Sequence, residues 1–345
     1  MSEIFRCASS RLVSPVRLEL AMDTGRCRSC GGIDLQRTVS RESYVGGGQT
    51  LRRCGICAAV YLAPDFTPES LDLFYREHYR RLFPSETIWR SEQRFFAWRG
   101  DRPVADIRLA RIEPHLPTGA HLLEIGSGFG AFLGAAATLQ GVRLSAIEPD
   151  VANRGRLLGS ANVDFVRSIE ATSRGSIDVV VAFHVVEHLA DPLASLREIH
   201  AALKVGGRAF VEVPDLMQGL LSPSYFHPAH LSYFTVPTLS RLAGAAGFRI
   251  VQAGPHPDGG ILTENIWLEV EKPSTAAVAP RALAALPEEV AAVDALLDAV
   301  DWRASPVRHW RRTAKHLALA MFGPGLVGEL QRFRQWRQLR RIGWT

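Results

Sequence analysis

The sequence predicts an α/β fold built around a parallel β-sheet, with a small cysteine-bearing module before it and a helical extension after it. From His121 to about residue 270, short apolar stretches typical of strands alternate with stretches typical of helices. Such alternation predicts a parallel sheet that helices cover on both faces. Four of the five cysteines fall in two Cys-x-x-Cys pairs within residues 23–62. After residue 273 the strand pattern ends, and the sequence becomes rich first in alanine and then in arginine.

Length and composition are those of an ordinary globular protein. The chain has 345 residues, of which 47% are hydrophobic and 22% charged, close to the average for folded domains. This composition excludes a disordered chain, a collagen-like repeat and a coiled-coil rod, and five cysteines are too few for a disulfide scaffold. No apolar run reaches the roughly 18 residues that a membrane span needs, and the N-terminus lacks the features of a secretory signal. We therefore expect a cytoplasmic protein whose thiols stay reduced.

The positive charge is concentrated at the C-terminal end. Residues 301–345 hold ten Lys and Arg against two acidic residues, whereas the net charge of the whole chain is only +5. The overall charge is therefore a poor argument for nucleic-acid binding. A basic helix with interleaved aromatic residues is predicted over 326–341, and such a helix can lie on an anionic membrane surface. We expect it to make a peripheral membrane contact or to pack against the core.

The sequence predicts five segments and, in the largest of them, seven strands. The segments are a mobile N-terminus at 1–22, a metal-binding module at 23–62, a helical connector or lid at 63–115, the α/β domain at 116–272 and a helical basic extension at 273–345. The predicted strands are 121–125, 142–147, 163–166, 177–183, 208–213, 248–252 and 262–270. Periods of 3–4 residues predict helices in the connector, and an alanine-rich stretch predicts one at 281–300.

The paired cysteines predict a structural zinc site. The four candidate ligands are Cys27, Cys30, Cys54 and Cys57. A gap of two residues lets both sulfurs of a pair bind one ion, and two such pairs form the closed Cys₄ site of structural zinc. Between the pairs, Gly46–Gly48 predicts the turn of a β-hairpin. The remaining Cys7 is interpreted as an incidental thiol.

A glycine-rich turn follows the first predicted strand of the α/β domain. Glycines at 126, 128 and 130 allow the backbone to approach a ligand closely. Their spacing differs from the G-x-G-x-x-G pattern of dinucleotide-binding proteins. Glu124 lies at the end of the strand, where its carboxylate would repel a pyrophosphate but attract an ammonium or sulfonium group. The turn therefore favours a cationic cofactor.

Two further strand ends carry polar groups. Glu148 ends the next strand, 24 residues after Glu124, and a carboxylate at this position suits two hydrogen bonds to a ribose diol. The strand 177–183 leads into His184, Glu187 and His188. Because the carboxyl ends of parallel strands meet at one edge of a sheet, we expect these groups to share a site.

Taken together, these motifs resemble those of class I S-adenosylmethionine-dependent methyltransferases. The resemblance rests on the E-I-G-S-G-x-G turn, the acid at 148, the F-H-V-V-E-H-L-x-D-P run from Phe183 and the L-K-x-G-G run from Leu203. It covers about residues 119–270 and implies a Rossmann-like sheet of seven strands whose last strand is antiparallel. It also implies a set of cofactor contacts: Glu124, Gly126, Ser127, Gly128, Phe129, Glu148, Pro149, Ser168, Ile169 and His184.

The cysteine module in front of such a domain is similar to that of bacterial methyltransferases of sugar and polysaccharide biosynthesis, among them zinc-containing deoxysugar C-methyltransferases. This resemblance implies acceptor-side contacts from three tyrosines, Tyr75, Tyr79 and Tyr233. The C-methyltransferases carry a Tyr-His-Glu-His run where this chain has His-Pro-Ala-His at 227–230. Because the glutamate is absent, O- and N-methylation stay open beside C-methylation.

The predicted reaction is methyl transfer to a small molecule or glycan, with a histidine as general base. His184 and His230 are the first candidates and His188 the next, because the pKa of histidine lies near working pH. One alternative is an RNA methyltransferase that uses the metal module and basic tail. Against it, His184-Val-Val-Glu187 stands where enzymes that methylate base amines carry Asn/Asp-Pro-Pro-Tyr. A non-catalytic scaffold is the third possibility, although it would not need the two acids at 124 and 148.

Overall fold

The structure is a computed structural model without ligands. It describes residues 3–5, 16–33, 36–40, 49–74, 101–128, 130–150, 153–154, 163–218, 226, 229–258, 262, 264–274 and 283–300. The predicted basic helix at 326–341 lies outside these residues, as do Cys7, Tyr75, Tyr79 and Phe129. None of the helices within the described ranges is long and apolar enough to cross a membrane.

The cysteine pairs lie at the ends of a small antiparallel sheet. Its strands are β3 (Gln36–Ser40), β4 (Thr50–Cys54), β5 (Val60–Ala63) and β11 (Ser232–Tyr233), in the order β11-β5-β4-β3. β3 and β4 pair antiparallel, as the predicted hairpin requires. β11 comes from a distant part of the chain and pairs with β5. Two short strands, β1 (Glu3–Phe5) and β2 (Val16–Leu18), form a separate ladder.

The α/β domain is built on the predicted seven-stranded sheet. Its strands are β6 (His121–Ile125), β7 (Arg143–Ile147), β8 (Val163–Phe165), β9 (Ile177–Phe183), β10 (Leu203–Pro214), β12 (Arg249–Pro255) and β13 (Asn265–Glu271). The order across the sheet is β12-β13-β10-β9-β6-β7-β8. β13 runs antiparallel to both of its neighbours, whereas β10, β9, β6, β7 and β8 are parallel. This is the Rossmann-like methyltransferase sheet that the resemblance implied.

One strand is longer than predicted. β10 begins at Leu203, which pairs with Ile177, and its register shifts before Arg208. Two glycines, Gly206 and Gly207, lie within this strand, and Gly206 has a positive φ of 78°. An added Cβ at Gly207 would lie 2.9 Å from the carbonyl oxygen of Lys204. This close backbone contact explains a glycine inside a strand.

Six α-helices are described, and most begin with a proline in the first turn. They are α1 (Pro68–Leu73), α2 (Asp101–Ile112), α3 (Ala131–Ala136), α4 (Pro192–Ala202), α5 (Val236–Ala245) and α6 (Pro287–Asp298). Asp191 caps α4 by accepting a hydrogen bond from the amide of Ala194 at 2.8 Å. Thr235 and Thr238 form a capping box at the start of α5. Proline at this position loses no helical hydrogen bond.

The core has two halves, one on each face of the seven-stranded sheet. Leu123 and Val180 belong to one apolar cluster, and Leu122 and Val179 belong to the other. Since consecutive side chains of a strand point to opposite faces, a sheet that is covered on both sides needs unbroken apolar strands. The run Val179–Phe183 is therefore buried throughout, and only the strand ends are left for polar groups.

Candidate active site

The glycine turn between β6 and α3 has the conformation that its residues predict. Gly126, Gly128 and Gly130 all have positive φ, at 71°, 53° and 78°. A Cβ added at Gly126 would lie 2.5 Å from the side chain of Val185, in the loop after β9. The turn is thus packed directly against the segment that carries His184, and a larger residue at 126 would push the two apart.

Two buried polar atoms of this region accept or donate no hydrogen bond within the described part of the chain. They are Oε2 of Glu124 and Oγ of Ser127. Burial raises the pKa of Glu124 to about 8. Because an orphaned buried polar atom is costly, both atoms fit a polar ligand that enters between them. An amino acid moiety fits both atoms, because its ammonium group can donate to Glu124 and its carboxylate can accept from Ser127.

Glu148 is joined to the same turn by hydrogen bonds. Its two carboxylate oxygens accept from the amides of Gly128 and Asp150, at 2.7 and 2.8 Å. Burial raises the pKa of Glu148, and these hydrogen bonds oppose the rise. The carboxylate is therefore held in one orientation, with lone pairs left for a further donor. Pro149, which follows it, is exposed.

The predicted cofactor contacts Ser168 and Ile169, which the resemblance implies on the adenine side, follow β8, next to β7 in the sheet. Ser168 and Ile169 are both half-buried, and Ile169 begins a short 3-10 helix, Ile169–Ala171. Ile169 packs against the apolar cluster that contains Leu123. Its position beside the edge that carries Glu148 is compatible with a flat apolar ligand.

His184 directly follows β9 and lies between two carboxylates. Its Nδ1 is 3.3 Å from Oε1 of Glu187, and its Nε2 is 3.4 Å from Oε1 of Glu212. It adopts a positive φ of 55°, which is uncommon for a residue with a side chain. Loss of hydration opposes protonation of the ring, but the two carboxylates raise the pKa of His184 to about 9. They therefore stabilise the imidazolium form.

Glu212 and its partners are functional candidates that the sequence analysis missed. Glu212 is fully buried in β10, where Arg108 of α2 donates two hydrogen bonds to its carboxylate, both at 2.8 Å. Asn265 donates a third at 2.5 Å. Burial opposes ionisation, but Arg108 and His184 hold the pKa of Glu212 well below its usual range. The detectable signal was a single acid inside the apolar run of β10.

The other predicted histidines lie in the same cluster. The rings of His188 and His230 are in edge contact, with centroids 4.9 Å apart. His188 donates from Nδ1 to the carbonyl oxygen of Ala229 at 2.6 Å. Glu187 is 1% exposed and lies between His184 and His188. The structure therefore brings His230 to two histidines, His184 and His188, that lie much earlier in the sequence.

Tyr233 has a different environment from the one predicted. It is 3% exposed and packs against Phe226, with ring centroids 4.9 Å apart, in a cluster with Leu51 and Val60 of the small sheet. The structure thus presents Tyr233 as a packing residue, and its contact with the acceptor stays a prediction.

The four predicted metal ligands are also brought together. The sulfurs of Cys27, Cys30, Cys54 and Cys57 all lie within 4.8 Å of one another. The distance is 3.5 Å between Cys27 and Cys57 and 3.6 Å between Cys30 and Cys54. Four thiolates bound tetrahedrally at about 2.3 Å lie roughly 3.8 Å apart. The cluster therefore has the donor set and spacing that a zinc ion requires.

The cysteine module contacts the histidine cluster through one arginine and one strand. Arg28, inside the first cysteine pair, donates to the carbonyl oxygen of Ala190 at 2.8 Å and forms an ion pair with Asp65. Leu231 donates its amide to Glu187 at 2.8 Å and accepts from Leu62 of β5 at 3.0 Å. The loop that carries His230 is thus an extension of the module's sheet.

A family model and several curated proteins are similar to part of this chain. Residues 95–253 match the family model described as a methyltransferase domain. A ubiquinone biosynthesis O-methyltransferase of Xanthomonas axonopodis pv. citri is 32% identical over 130 residues, which cover 33% of this chain and 54% of that protein. One from Xanthomonas campestris pv. campestris (strain B100) is 37% identical over 102 residues, covering 27% and 42%. The chain therefore spans about half the length of these curated relatives.

Solved structures with the same type of domain are more distant. An S-adenosylmethionine-dependent methyltransferase from Archaeoglobus fulgidus is 19% identical, with a TM-score of 0.41, and the match covers 51% of this chain and 97% of that one. The [4+2]-cyclase SpnF is 18% identical, with a TM-score of 0.43, covering 50% and 81%. Residues 95–253 thus match a methyltransferase domain, and the strand order is typical of the Rossmann-like methyltransferase fold.

Proposed function

We propose that this protein transfers a methyl group from S-adenosylmethionine to a hydroxyl group of a small molecule or glycan precursor. The observation that carries the proposal is the contact between Gly126 and Val185. It joins the turn that would hold the methionine end of the cofactor to the loop that carries His184 and His188, next to which His230 lies. A methyl group bound at this turn would therefore lie beside groups able to bind and deprotonate an acceptor.

In this proposal the cofactor is held by acids at the ends of β6 and β7. Glu124 and Ser127 bind the amino acid end, since both have polar atoms without a hydrogen bond among the described residues. Glu148 accepts hydrogen bonds from the ribose hydroxyls, and Ile169 packs against the adenine ring. A Glu148→Ala variant should lose about 1.5–3 kcal/mol for each hydrogen bond to the charged group, which calorimetry with S-adenosylmethionine would detect.

We assign the general base to the neutral form of His184, and because the pKa of this ring is raised to about 9, we expect kcat to rise as pH approaches 9. It follows β9 directly and adjoins Val185, and the carboxylates beside it would stabilise the imidazolium that forms. S-adenosylmethionine supplies a methyl group bound to a positively charged sulfur. His184 takes the proton of the acceptor hydroxyl, and the oxygen forms its bond to the methyl carbon in line with the breaking bond to sulfur. The bond's electron pair returns to sulfur, leaving S-adenosylhomocysteine.

The relatives favour oxygen as the methylated atom, since the Xanthomonas proteins are named as O-methyltransferases. The glycan class rests on the resemblance of the cysteine module to that of sugar methyltransferases. A mass-spectrometric screen of nucleotide-sugars, glycan extracts and small phenols would identify the acceptor by the mass gain of one methylene group. Turnover on RNA alone would contradict the proposal.

A test of the base uses two matched histidine variants. His184→Gln should lower kcat by about 10²–10⁴ and leave the affinity for S-adenosylmethionine near that of wild type. His200→Gln changes an imidazole on α4 that packs against Phe248, and it should leave kcat unchanged. Equal kcat values in the two variants would refute the assignment.

We also propose that Cys27, Cys30, Cys54 and Cys57 bind one structural zinc ion. Four sulfurs that lie within 4.8 Å of one another support a closed site, because thiolates at this distance repel unless a cation lies between them. Bound zinc would fix the positions of both cysteine pairs and, through Arg28, of the loop at Ala190.

A further inference from the structure

A second group of metal-ligand side chains lies beside the proposed methyl site. Glu187 is 1% exposed, and neither of its carboxylate oxygens accepts a hydrogen bond from the described residues. Within the described ranges, the closest ionisable partner of this carboxylate is His184, whose Nδ1 is 3.3 Å from Oε1. A buried carboxylate normally needs several hydrogen bonds or a cation to offset the loss of hydration. The imidazole of His184, at 3.3 Å, offsets the lost hydration of the Glu187 carboxylate only in part.

Two further imidazoles face the same carboxylate. One ring nitrogen of His188, one of His230 and a carboxylate oxygen of Glu187 all lie within 4.8 Å of one another. Because a carbonyl oxygen can only accept, the hydrogen bond from His188 to Ala229 puts the proton on Nδ1. Nε2 is then the nitrogen with the lone pair, and it lies 4.0 Å from Oε1 of Glu187.

This arrangement is typical of metal-binding histidines. A ligating imidazole usually donates its other N–H to a carbonyl or carboxylate, which fixes the ring and the tautomer, and Ala229 provides that carbonyl for His188. The backbone supports the third ligand as well, since Leu231, next to His230, donates its amide to the carbonyl of Glu187 at 2.8 Å. Ligands bound at about 2.1 Å lie roughly 3–4 Å apart, so the side chains need to move inward only slightly.

We propose that Glu187, His188 and His230 bind one divalent transition-metal ion, separate from the Cys₄ site. Two imidazoles and one carboxylate form the donor set of open zinc and non-haem iron sites. Three protein ligands leave at least one position for an exchangeable ligand. Thiolates are absent from the set, so the site takes a metal that accepts nitrogen and oxygen ligands.

The role of this ion rests on the proposed function. At the open position it binds the acceptor hydroxyl oxygen and makes that hydroxyl more acidic. The proton passes to His184, the oxygen bonds to the methyl carbon, and the electron pair of the broken carbon–sulfur bond returns to sulfur. The oxidation state of the metal does not change. His188 and His230 are then ligands, and His184 is the base.

The simpler alternative is that Glu187 serves only as the counter-ion of His184. The experiment that separates the two titrates Co²⁺ into the full-length protein whose Cys₄ site is already filled with zinc. Calorimetry counts the sites, and visible absorption without sulfur-to-cobalt charge-transfer bands identifies nitrogen and oxygen ligands. We expect about one equivalent of Co²⁺ in the wild type, as for one three-residue site.

The variants make the assignment specific. Glu187→Gln and His230→Gln should each weaken Co²⁺ binding at least about tenfold, the lower end of what disturbing a metal site costs. His200→Gln, on α4, should bind Co²⁺ as the wild type does. Thermal unfolding confirms that each variant is folded, and His188→Gln replaces any variant that is not.

No Co²⁺ binding by the zinc-loaded wild type would overturn the proposal, and so would unchanged affinity in the Glu187 and His230 variants. Parallel calorimetry with S-adenosylmethionine separates this result from a failure of the proposed function. Normal cofactor binding without Co²⁺ binding overturns the metal site alone, whereas absent cofactor binding would contradict the methyltransferase proposal while leaving the Co²⁺ result valid.

Discussion

At the scale of single residues, the site depends on two buried carboxylates. Glu124 lacks a hydrogen-bond partner for one oxygen among the described residues, whereas Glu212 forms an ion pair with Arg108. Glu124 can therefore still accept a hydrogen bond from a ligand, whereas the ion pair keeps Glu212 negatively charged beside His184. Burial raises the pKa of Glu124 to about 8.

Glu124 should couple cofactor binding to pH. In the free protein its carboxyl group holds a proton up to about pH 8, and the ammonium group of S-adenosylmethionine favours the carboxylate. Binding near neutral pH should therefore release a proton, and affinity should rise as pH rises toward 8. Calorimetry in two buffers with different ionisation enthalpies measures this release. Glu124→Gln should abolish the release and weaken binding by about tenfold, the equivalent of one hydrogen bond.

The same substitution has a predicted sign for stability. Folding raises the pKa of Glu124 from 4.5 to about 8. Between these two pH values the folded state binds more protons than the unfolded state, so the folded protein loses stability as pH rises. Glu124→Gln removes this loss, so it should raise the unfolding temperature of the cofactor-free protein more at about pH 9 than at pH 5. An equal effect at both pH values would contradict the raised pKa.

The ion pair of Arg108 and Glu212 should be important for stability. Glu212→Gln leaves the guanidinium of Arg108 facing a neutral amide in the core, and removing one partner of a buried pair costs about 3–5 kcal/mol. The matched control is Asp258→Asn, which breaks the exposed pair with Arg111 and should cost about 0–1 kcal/mol. Urea denaturation gives both values, and similar costs would show that Glu212 is not effectively buried.

At the scale of elements, the cysteine module and the α/β domain share a sheet. β11 lies within the α/β domain sequence but pairs with β5 of the module, and Leu231, just before β11, contacts Glu187. The loop that carries His230 is therefore positioned by the module. The cysteine module thus supports a loop of a domain that has its own core.

Loss of the module's metal should therefore affect the acceptor side more than the cofactor side. Cys54→Ser should lower the zinc content from about one equivalent to near zero and decrease methyl transfer, because β5 and the loop at 229–233 lose their support. Binding of S-adenosylmethionine should change much less, since Glu124 and Glu148 lie on β6 and just after β7. Elemental analysis and calorimetry test both statements. Cys7→Ser is the control, and it should keep its zinc.

At the scale of the whole molecule, α6 joins the two parts. Val293 and Leu297 of α6 are buried in the cluster that contains Leu51 and Tyr233. Asp294 forms ion pairs with Arg37 and Arg53 of the module, and Glu289 pairs with Arg241 of α5. Helix α6 therefore covers the junction between the module and the α/β domain.

Shortening one buried side chain of α6 should destabilise the molecule as a whole. Leu297 is fully buried, so Leu297→Ala should cost about 2–5 kcal/mol in the free energy of unfolding. Leu286, just before the helix, is 57% exposed, and Leu286→Ala should cost under about 0.5 kcal/mol. Denaturant unfolding compares the two. A small cost at 297 would mean that α6 does not contribute to the core.

The sequence by itself predicted the strands of the large sheet and the polar groups at the carboxyl ends of β6 and β7. Apolar runs between helical stretches predicted all seven strands of the large sheet, and the glycine turn, Glu124 and Glu148 predicted its cofactor edge. The two Cys-x-x-Cys pairs predicted the four sulfurs that the structure brings together. These features could be predicted because they depend on local periodicity and on short spacings, which the chain itself specifies.

Only the tertiary structure decided which distant groups meet. Arg108 and Glu212 are 104 residues apart, and no spacing rule links an arginine of α2 to an acid within β10. Likewise, His230 lies next to His188 because β11 pairs with a strand of the cysteine module. Such contacts follow from packing between elements, where burial and charge are matched across the fold. For this reason the pairing of Arg108 with Glu212 and the contact of His230 with His188 became visible only in three dimensions.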